Sequence, residues 1–311
     1  MSTGNSNGGV RKETVDHDHD GQRVDNFLSA RMKGLPRSLI YRLIRKGQVR
    51  INGKRCKPAS RLQEGDEVRI PPARLKEKGE ADISDRVLQQ LKECILHEDS
   101  DTLVVNKPSG MAVHAGSGLP WGMIDGLRRL YAEQYLELVH RLDRETSGCL
   151  VLARSGRSLQ HLSTQFRDGQ AAKRYLCLLD GSLSEAMVEV DAPLARVQAG
   201  QKRQVEVSPE GKAALTRFHL LQAYPGASYA EAELLTGRTH QIRVHALHLG
   251  MPLAGDQKYA GRESLKTWRG RGLRRLFLHA HSLQIENVNG QMMDFNAPLP
   301  GDLRAVLSGL E

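Results

Sequence analysis

A charged nonapeptide contains the residues best placed to do chemistry. Residues 140–148 read His-Arg-Leu-Asp-Arg-Glu-Thr-Ser-Gly and lie between the mostly apolar stretches 136–139 and 149–152. These stretches predict strands and Thr-Ser-Gly is typical of a turn, so we expect Asp143 on a loop anchored by a sheet. A carboxylate there could act as a nucleophile or stabilise a cationic transition state. From the residues alone, a surface loop in which Asp143 pairs with a neighbouring arginine is the somewhat stronger interpretation.

The other polar segments give no sign of a metal or cofactor site. His240 and His245 flank a strand-like Gln-Ile-Arg-Val, and their spacing is not the i, i+4 of a helical zinc pair. No glycine-rich phosphate loop is found. The cysteines are far apart and form no C-x-x-C pair, which argues against a disulfide framework and a cysteine-based zinc site. They are Cys56, Cys94, Cys149 and Cys177. We therefore expect no metal and no cofactor.

One segment carries the whole excess of positive charge. The chain has a net charge of +9, and residues 21–70 contain 13 Lys or Arg against 4 Asp or Glu, while the remaining charges cancel. Such a concentration favours a polyanionic partner. A solvated basic face without a partner is the alternative.

The composition is ordinary for a soluble globular protein. No run approaches the roughly 18 apolar residues that a membrane span needs. Residues 1–20 are polar and contain no apolar signal core. We therefore expect a cytoplasmic protein without a membrane partner, and a monomer.

Residues 21–70 predict a small folded module. Apolar residues recur at helical spacing over 24–28 and 39–44, and Asn-Gly at 52–53 predicts a hairpin between short strands. The second helix carries basic residues on its polar face, namely Arg37, Arg42, Arg45 and Lys46. A basic helix of this kind can lie against a groove lined with phosphates.

The remaining segments complete the domain prediction. Residues 1–20, rich in Gly, Ser, Asn and charge, predict a disordered tail, and the charged residues 71–94 predict a linker. Residues 95–311 form a second domain with a helical stretch near 159–166. Its β-like runs are Leu103–Val105, Cys149–Leu152, Tyr175–Leu179, Val205–Val207 and Ile242–Val244. Because strands and helices do not alternate regularly, this pattern favours an α+β fold with a mixed, mainly antiparallel sheet.

The first module resembles a known RNA-binding domain. It is similar to the αL RNA-binding module of the ribosomal protein S-four type. The matching segments are Arg23-Val24-Asp25-Asn26-Phe27-Leu28, Ser38 through Gly53, and Gly65-Asp66-Glu67-Val68. The resemblance implies binding to structured RNA and leaves the chemistry open.

The second domain resembles the large-subunit ribosomal RNA pseudouridine synthase family. The nonapeptide matches that family's signature, His-Arg-Leu-Asp-x-x-Thr-Ser-Gly, at every fixed position. Other segments match in the expected order, namely Asn106 through His114, Lys173 through Leu176, Thr236 through His245, and Leu276 through Ala280. With the first module included, the chain resembles most the C-type branch, which modifies several uridines of large-subunit ribosomal RNA. One departure is Ala260, where the family usually has Gly; it would matter only if that position needed a positive φ.

The resemblance implies a role for each of five residues. Asp143 would be the essential carboxylate, either attacking the sugar or assisting a glycal route. Tyr175 would remove the proton from carbon 5, and Arg243 would pair with the aspartate. Arg141 would occupy the space of the extruded uridine, and Leu278 would pack near the uracil. The reaction gains no atom, which agrees with the absence of a cofactor.

Three alternatives remain beside this interpretation. A pseudouridine synthase that acts on tRNA has the same catalytic motifs, although the N-terminal module favours a large structured RNA. A non-catalytic RNA-binding ribosome-assembly protein would have the same basic module, but a degenerate homologue would often have lost one of Asp143, Tyr175 and Arg243. A hydrolase that uses His140 and Asp143 lacks a nucleophile motif such as G-x-S-x-G.

Overall fold

The fold is described from a computed structural model that covers residues 10–32, 35, 37–72, 83–115, 119–132, 134–199 and 202–310. The chain divides into two compact units, Met1–Asp82 and Ile83–Glu311. Each unit has hydrophobic clusters of its own.

The first unit pairs two helices with a small antiparallel sheet. Its elements are β1 (Arg11–Thr14), a short 3-10 helix (His17–His19), α1 (Val24–Arg31), α2 (Arg37–Arg45), β2 (Arg50–Ile51), β3 (Lys54–Arg55) and β4 (Glu67–Ile70). The sheet has the order β1-β4-β2-β3. Phe27 and Leu28 of α1 and Ile40 and Ile44 of α2 are buried in one cluster, which confirms the helical spacing. Asn52 and Gly53 both have positive φ, as a tight hairpin turn requires.

The predicted disorder of residues 1–20 is wrong for the part that the structure describes. Arg11 to Thr14 pair with β4, in a register that sets Arg11 opposite Ile70, and Val15 is buried in the core. The strand is short and polar, so it shows no alternating pattern. It is held by backbone hydrogen bonds to β4, which a local reading of the sequence does not reveal. Residues 1–9 lie outside the described part.

The second unit is built on a large sheet. Its strands are β5 (Ile95–Glu98), β6 (Thr102–Lys107), β7 (Glu137–Leu138), β8 (Ser147–Ala153), β9 (Ala172–Leu179), β10 (Met187–Asp191), β11 (Leu194–Ala199), β12 (Lys202–Val207), β13 (Leu215–Tyr224), β14 (Ala227–Leu234), β15 (Leu278–Glu286) and β16 (Met292–Asn296). Its helices are α3 (Asp85–Glu93), α4 (Met123–Leu130), α5 (Gly156–Asp168), α6 (Gln241–His248), α7 (Arg262–Gly270) and α8 (Gly301–Ser308).

The sheet is mixed and mainly antiparallel, which confirms the predicted fold class. Its main path is β10-β13-β14-β9-β15-β8-β6-β5; β16 also pairs with β15 and β7 with β8, while β11 and β12 form a separate hairpin. Only β15 and β8 run parallel among the described pairs. All seven residues of β8 are buried. This explains why the strand shows a continuous apolar run rather than an alternating one.

Two predictions for the second unit need correction. Residues 242–244, predicted as a strand, lie in α6. All of residues 241–246 are buried, so the helix has no polar face to produce a helical period, and a short apolar run resembles a strand. The predicted linker, residues 71–94, contains α3, whose Leu91 is fully buried in the main core of the second unit. Residues 73–82 lie outside the described part.

Candidate active site

A cavity of about 380 Å³ opens on the second unit. Its walls come from the segment before β8, from α5, from β9, from the segment between β14 and α6, from the start of α6, and from the start of β15. The lining includes the five residues that the sequence analysis selected, namely Arg141, Asp143, Tyr175, Arg243 and Leu278. The volume is within the range of small-ligand pockets.

Asp143 begins the active-site turn, residues 143–146, between β7 and β8. The Thr146 N–H donates to the Asp143 carbonyl at 3.2 Å. Asp143 Oδ2 lies 3.4 Å from Arg243 Nη1 and 3.6 Å from His240 Nε2. Its Oδ1 has no hydrogen-bond partner among the described residues, and the side chain is 23% exposed. One carboxylate oxygen therefore remains available to a substrate.

A buried lysine anchors the active-site turn. Lys107 Nζ donates to the carbonyls of Pro108, Met111 and Arg144 at 3.0, 2.8 and 3.1 Å. Gly110 N–H donates to the same Arg144 carbonyl at 2.8 Å. Burial lowers the pKa of Lys107 to about 7, although nearby carboxylates oppose the change. Three carbonyl acceptors match the three N–H groups of an ammonium, so the protonated lysine fixes both segments together.

Arg243 joins two carboxylates of different character. Its Nε and Nη2 donate to Asp256 at 2.8 and 2.7 Å, and both side chains are buried. Its third nitrogen, Nη1, faces Asp143. Burial opposes the charge, but the hydrogen bonds and attraction to Asp256, and then to Asp143, outweigh it and raise the pKa of Arg243. Asp256 therefore fixes the guanidinium that faces Asp143.

His240 approaches Asp143 from the other side. Its φ is +56°, and Asn52 is the only other non-glycine residue with positive φ in the described part. Its Nδ1 lies 2.7 Å from the Tyr259 hydroxyl, which accepts from the Val205 N–H at 3.3 Å. The ring tautomer with its proton on Nε2, which faces Asp143, lets the Tyr259 hydroxyl donate to Nδ1 while it accepts from the Val205 N–H. Burial lowers the pKa of His240 to about 4, so the imidazole is neutral at pH 7.

Gln241 fixes the start of α6. Its Oε1 accepts from Thr236 Oγ1 at 2.8 Å and from the Arg238 N–H at 2.9 Å. Its Nε2 donates to the Leu215 carbonyl and to Thr216 Oγ1 at 3.0 and 2.9 Å. These bonds tie the loop before α6 to β13. They hold the helix turn that carries Arg243 in a defined position.

Tyr175 and Leu278 lie on neighbouring strands of the cavity wall. In the pairing of β9 with β15, Tyr175 is opposite Ala280 and Cys177 is opposite Leu278. Because side chains alternate along a strand, these residues share one face of the sheet. Burial raises the pKa of Tyr175, and the charge of Asp143 raises it further. The phenol is therefore neutral at physiological pH.

Gly148 allows β8 to approach β15 closely next to the active-site turn. Its φ is +113°, and a Cβ at this position would lie 2.2 Å from the Ala280 carbonyl oxygen. The neighbouring Ser147 accepts hydrogen bonds from Arg275 at 3.0 and 3.1 Å, and its hydroxyl lies 2.9 Å from His279 Nδ1. The end of the signature sequence is thus built into the sheet.

The residues before Asp143 have opposite environments. Arg141 is exposed at the cavity and has no ion-pair partner among the described residues. His140 Nε2 accepts from the Val151 N–H at 3.1 Å, and its ring stacks on Phe166 at 4.3 Å. Burial lowers the pKa of His140 to about 3, so it accepts this bond as a neutral ring. His140 is a packing residue, and Arg141 is free to contact a substrate.

Four further residues build the site and were not predicted from the sequence: Lys107, Lys173, Asp256 and Tyr259. Lys173 lines the cavity, and the other three hold the residues around Asp143. Lys107 and Lys173 lie in segments that resemble the family, and Asp256 and Tyr259 shortly precede Ala260, the one position that departs from it. The resemblance to the family therefore extended to the segments that contain all four residues. Ala260 has no positive φ, and the departure there carries no backbone strain.

The basic helix of the first unit has the predicted arrangement. Arg42, Arg45 and Lys46 are exposed, while Leu43 and Ile44 are buried. The side chain of Arg37 lies outside the described part. Gly47 ends the helix with a φ of +67°.

The described ranges contain neither a candidate metal-binding group nor a candidate membrane-spanning helix. There, His, Cys, Asp and Glu side chains form no group of three that could hold a metal ion. The same ranges contain no helix with the length and apolar character needed to cross a membrane.

The two units match models of two known families. A family model described as RNA pseudouridylate synthase matches residues 101–248, and an S4 domain model matches residues 22–68. Human RNA pseudouridylate synthase domain containing 4 has a similar structure, with a TM-score of 0.61 and 27% identity, covering 72% of this chain and 95% of that one.

Curated relatives match almost the whole chain. It is 48% identical over 307 residues to ribosomal large subunit pseudouridine synthase C of Yersinia pestis, covering 97% of this chain and 96% of the relative. It is 46% identical over 309 residues to the protein of the same name from Escherichia coli (strain K12), covering 97% of each. The chain therefore belongs to the RNA pseudouridylate synthase family and carries an S4 domain at its N-terminal end.

Proposed function

We propose that this protein isomerises specific uridines of large-subunit ribosomal RNA to pseudouridine, with Asp143 as the catalytic carboxylate. The relatives that match over nearly their full length are named for that RNA. The observation that carries the proposal is the position of Asp143, in a cavity of about 380 Å³ with one oxygen on a fixed arginine and the other without a partner in the described structure. The described cavity is lined by residues of one chain, which supports action as a monomer, and relatives named for a ribosomal RNA support a cytoplasmic location.

The reaction breaks the bond between the sugar C1′ and uracil N1, turns the base, and joins C1′ to carbon 5. The proton on carbon 5 is lost and N1 gains one, so no atom is gained overall. Asp143 would stabilise the positive charge that develops at C1′, either through an adduct or by assisting a glycal intermediate. No step requires a metal or a cofactor.

Arg243 would hold the Asp143 carboxylate in position. Because Asp256 holds the guanidinium by two short bonds, Arg243 can orient Asp143 at 3.4 Å without being drawn away by the substrate. Nε2 of the neutral His240 lies 3.6 Å from the same oxygen, beyond hydrogen-bond distance, so it would act there as a polar neighbour rather than as a second donor.

Tyr175 would carry the proton that leaves carbon 5. Its raised pKa means that no phenolate is formed in advance. We therefore assign it a relay: its hydroxyl accepts the carbon 5 proton as its own proton passes to Asp143, from which a proton can return to N1. The ring would also form a wall against the uracil, together with Leu278.

The uridine must leave the helix for its base–sugar bond to be reached, at a cost of a few kcal/mol. Arg141 is exposed beside the cavity and would occupy the space that the base leaves. In the first unit, the exposed residues of α2 would bind phosphates outside the site, consistent with an RNA-binding domain over residues 21–70. These residues are Arg42, Arg45 and Lys46, with Arg37 as the fourth member of the predicted set.

Purified protein tests the proposal with transcripts that carry tritium at carbon 5 of uracil. Formation of the new bond releases this tritium to water. We expect release from large-subunit ribosomal RNA without an added cofactor, and none with Asp143→Asn. Release from tRNA alone would show that the protein is a pseudouridine synthase that acts on tRNA. No release from any RNA would favour a non-catalytic role in ribosome assembly.

A further inference from the structure

A second concentration of positive charge lies in the catalytic unit. Residues 258–275 contain seven Lys or Arg and one Asp or Glu, whereas the rest of residues 83–311 contains 20 Lys or Arg and 24 Asp or Glu. Apart from this segment, the unit is therefore acidic. On a surface whose charges serve only solubility, positive and negative residues are normally mixed. A segment of almost purely positive charge in an otherwise acidic unit therefore needs an explanation.

Helix α7 presents part of this charge as a stripe. Arg262, Lys266 and Arg269 are spaced i, i+4 and i+7, which sets them on one side of the helix over roughly 10 Å. All three are exposed and have no ion-pair partner among the described residues. Trp268 is fully buried in a cluster that includes Leu273, which fixes the helix with its basic side outward.

The segment continues this face on both sides of α7. Arg271 and Arg274 follow it and are exposed, and the Arg271 guanidinium lies 5.0 Å from the Trp268 ring. Before it, Lys258 lines a second cavity, of about 590 Å³. That cavity shares His240 and Arg243 with the active-site cavity.

Arg275 differs from the exposed basic residues of this segment, because its side chain is bonded within the protein. It is the last basic residue of the segment and points inward, where it bonds to Asp302 at 2.8 Å and to Ser147. Arg262, Lys266, Arg269, Arg271 and Arg274 are exposed and have no such acidic partner in the described structure. The α7 face, defined as Arg262, Lys266, Arg269, Arg271 and Arg274, therefore offers unpaired guanidinium and ammonium groups.

We propose that the α7 face binds backbone phosphates of the substrate RNA, as a contact surface separate from both the active-site cavity and the S4 domain. This inference rests on the proposed function. The segment begins at Lys258 in the wall of the second cavity, which shares Arg243 with the active-site cavity, so RNA that leaves the site can follow it. Phosphate contacts of this kind position the substrate and carry no sequence information.

The test compares two triple variants of the full-length protein. One replaces the stripe, Arg262→Gln, Lys266→Gln and Arg269→Gln. The control removes the same charge from exposed residues of other helices that also have no ion-pair partner in the described structure, Lys92→Gln, Arg129→Gln and Arg304→Gln. Glutamine keeps a similar helix propensity, so both proteins should fold, which thermal unfolding checks.

RNA binding is measured by filter retention over a range of salt concentrations, and tritium release gives KM and kcat. We expect the stripe variant to lose affinity about tenfold more than the control at moderate salt, with a salt slope smaller by about 2 to 3. Its KM should rise with kcat unchanged. Equal affinities and slopes for the two variants would overturn the inference. If the wild type released no tritium, the proposed function would fail, while the binding comparison would still decide the role of the α7 face.

Discussion

Asp143 and Asp256 both contact Arg243, but they do so in different ways. Asp256 is fully buried and holds the arginine by two bonds, whereas Asp143 is partly exposed and touches it with one oxygen. A buried carboxylate without its partner is strongly unfavourable. We therefore expect Asp256 to contribute to stability and Asp143 to reactivity, with Arg243 in contact with both.

Replacing Arg243 separates these two contributions. Arg243→Gln leaves Asp256 buried without a counter-charge and should lower the free energy of unfolding by about 3–5 kcal/mol. Adding Asp256→Asn should restore much of that stability without restoring activity. Urea unfolding and tritium release measure both effects.

The control for this prediction is an exposed ion pair. Arg217 bonds to Glu189 at 2.8 Å on the sheet surface. Arg217→Gln should leave the free energy of unfolding nearly unchanged, because exposed ion pairs contribute little. An Arg243→Gln protein as stable as this control, or an active double variant, would contradict the assignment.

Tyr175→Phe tests the proton relay. The ring and its packing remain, but the hydroxyl that would pass on the proton is lost, so kcat should fall by about 10²- to 10⁴-fold with RNA binding unchanged. Tyr131→Phe is the control, because its hydroxyl bonds to Glu98 outside the cavity. Equal rates for the two variants would show that only the ring of Tyr175 matters.

The five predicted site residues came from a resemblance of motifs, and the structure brings them to one cavity. Their supports were harder to predict. Lys107 acts through three backbone carbonyls, and Asp256 acts on Arg243 rather than on a substrate. Such roles depend on burial and on contacts distant in sequence, which local residue types do not show.

At the scale of elements, prediction succeeded where burial leaves a periodic or continuous pattern. The apolar run of β8 and the helical spacing of α5 correspond to the observed elements. It failed for α6, which is buried on all sides, and for β1, which depends on its partner strand. In both cases tertiary contacts decide the structure.

Gly148→Ala tests how the active-site turn is joined to the sheet. An added Cβ would lie 2.2 Å from the Ala280 carbonyl, at a φ of +113°, so β8 and β15 must separate. We expect a loss of several kcal/mol of stability, by the order of magnitude of strain and overpacking, together with loss of activity. Gly156→Ala, in α5 with no atom within 4 Å of its Cβ, should leave both nearly unchanged. Similar unfolding midpoints for the two variants would exclude this close approach.

At the scale of the whole molecule, the net positive charge is concentrated in one unit of the chain and the catalytic cavity lies in the other. The first unit carries a net charge of +9 over residues 21–70, while the catalytic cavity lies wholly in the second unit. The first unit therefore supplies most of the net positive charge that attracts RNA, in addition to the α7 face, whereas rearrangement of the base belongs to the second unit.

Neutralising α2 in the full-length protein tests this separation. With Arg42, Arg45 and Lys46 replaced by Gln, affinity for RNA should fall and the salt slope should decrease by about 2 to 3. The rate at saturating RNA should not change, because these residues do not line the cavity. An unchanged slope, or a fall in kcat with KM constant, would show that α2 is not a phosphate-binding surface.

The central claim is that Asp143 of this protein makes pseudouridine in large-subunit ribosomal RNA. The most direct measurement is pseudouridine mapping of total RNA from cells that lack the protein, rescued with wild type or with Asp143→Asn. We predict that specific large-subunit sites disappear, return with the wild type, and stay absent with the variant, which differs by one oxygen-to-nitrogen exchange. Large-subunit sites that persist without the protein, or that return with Asp143→Asn, would contradict the account.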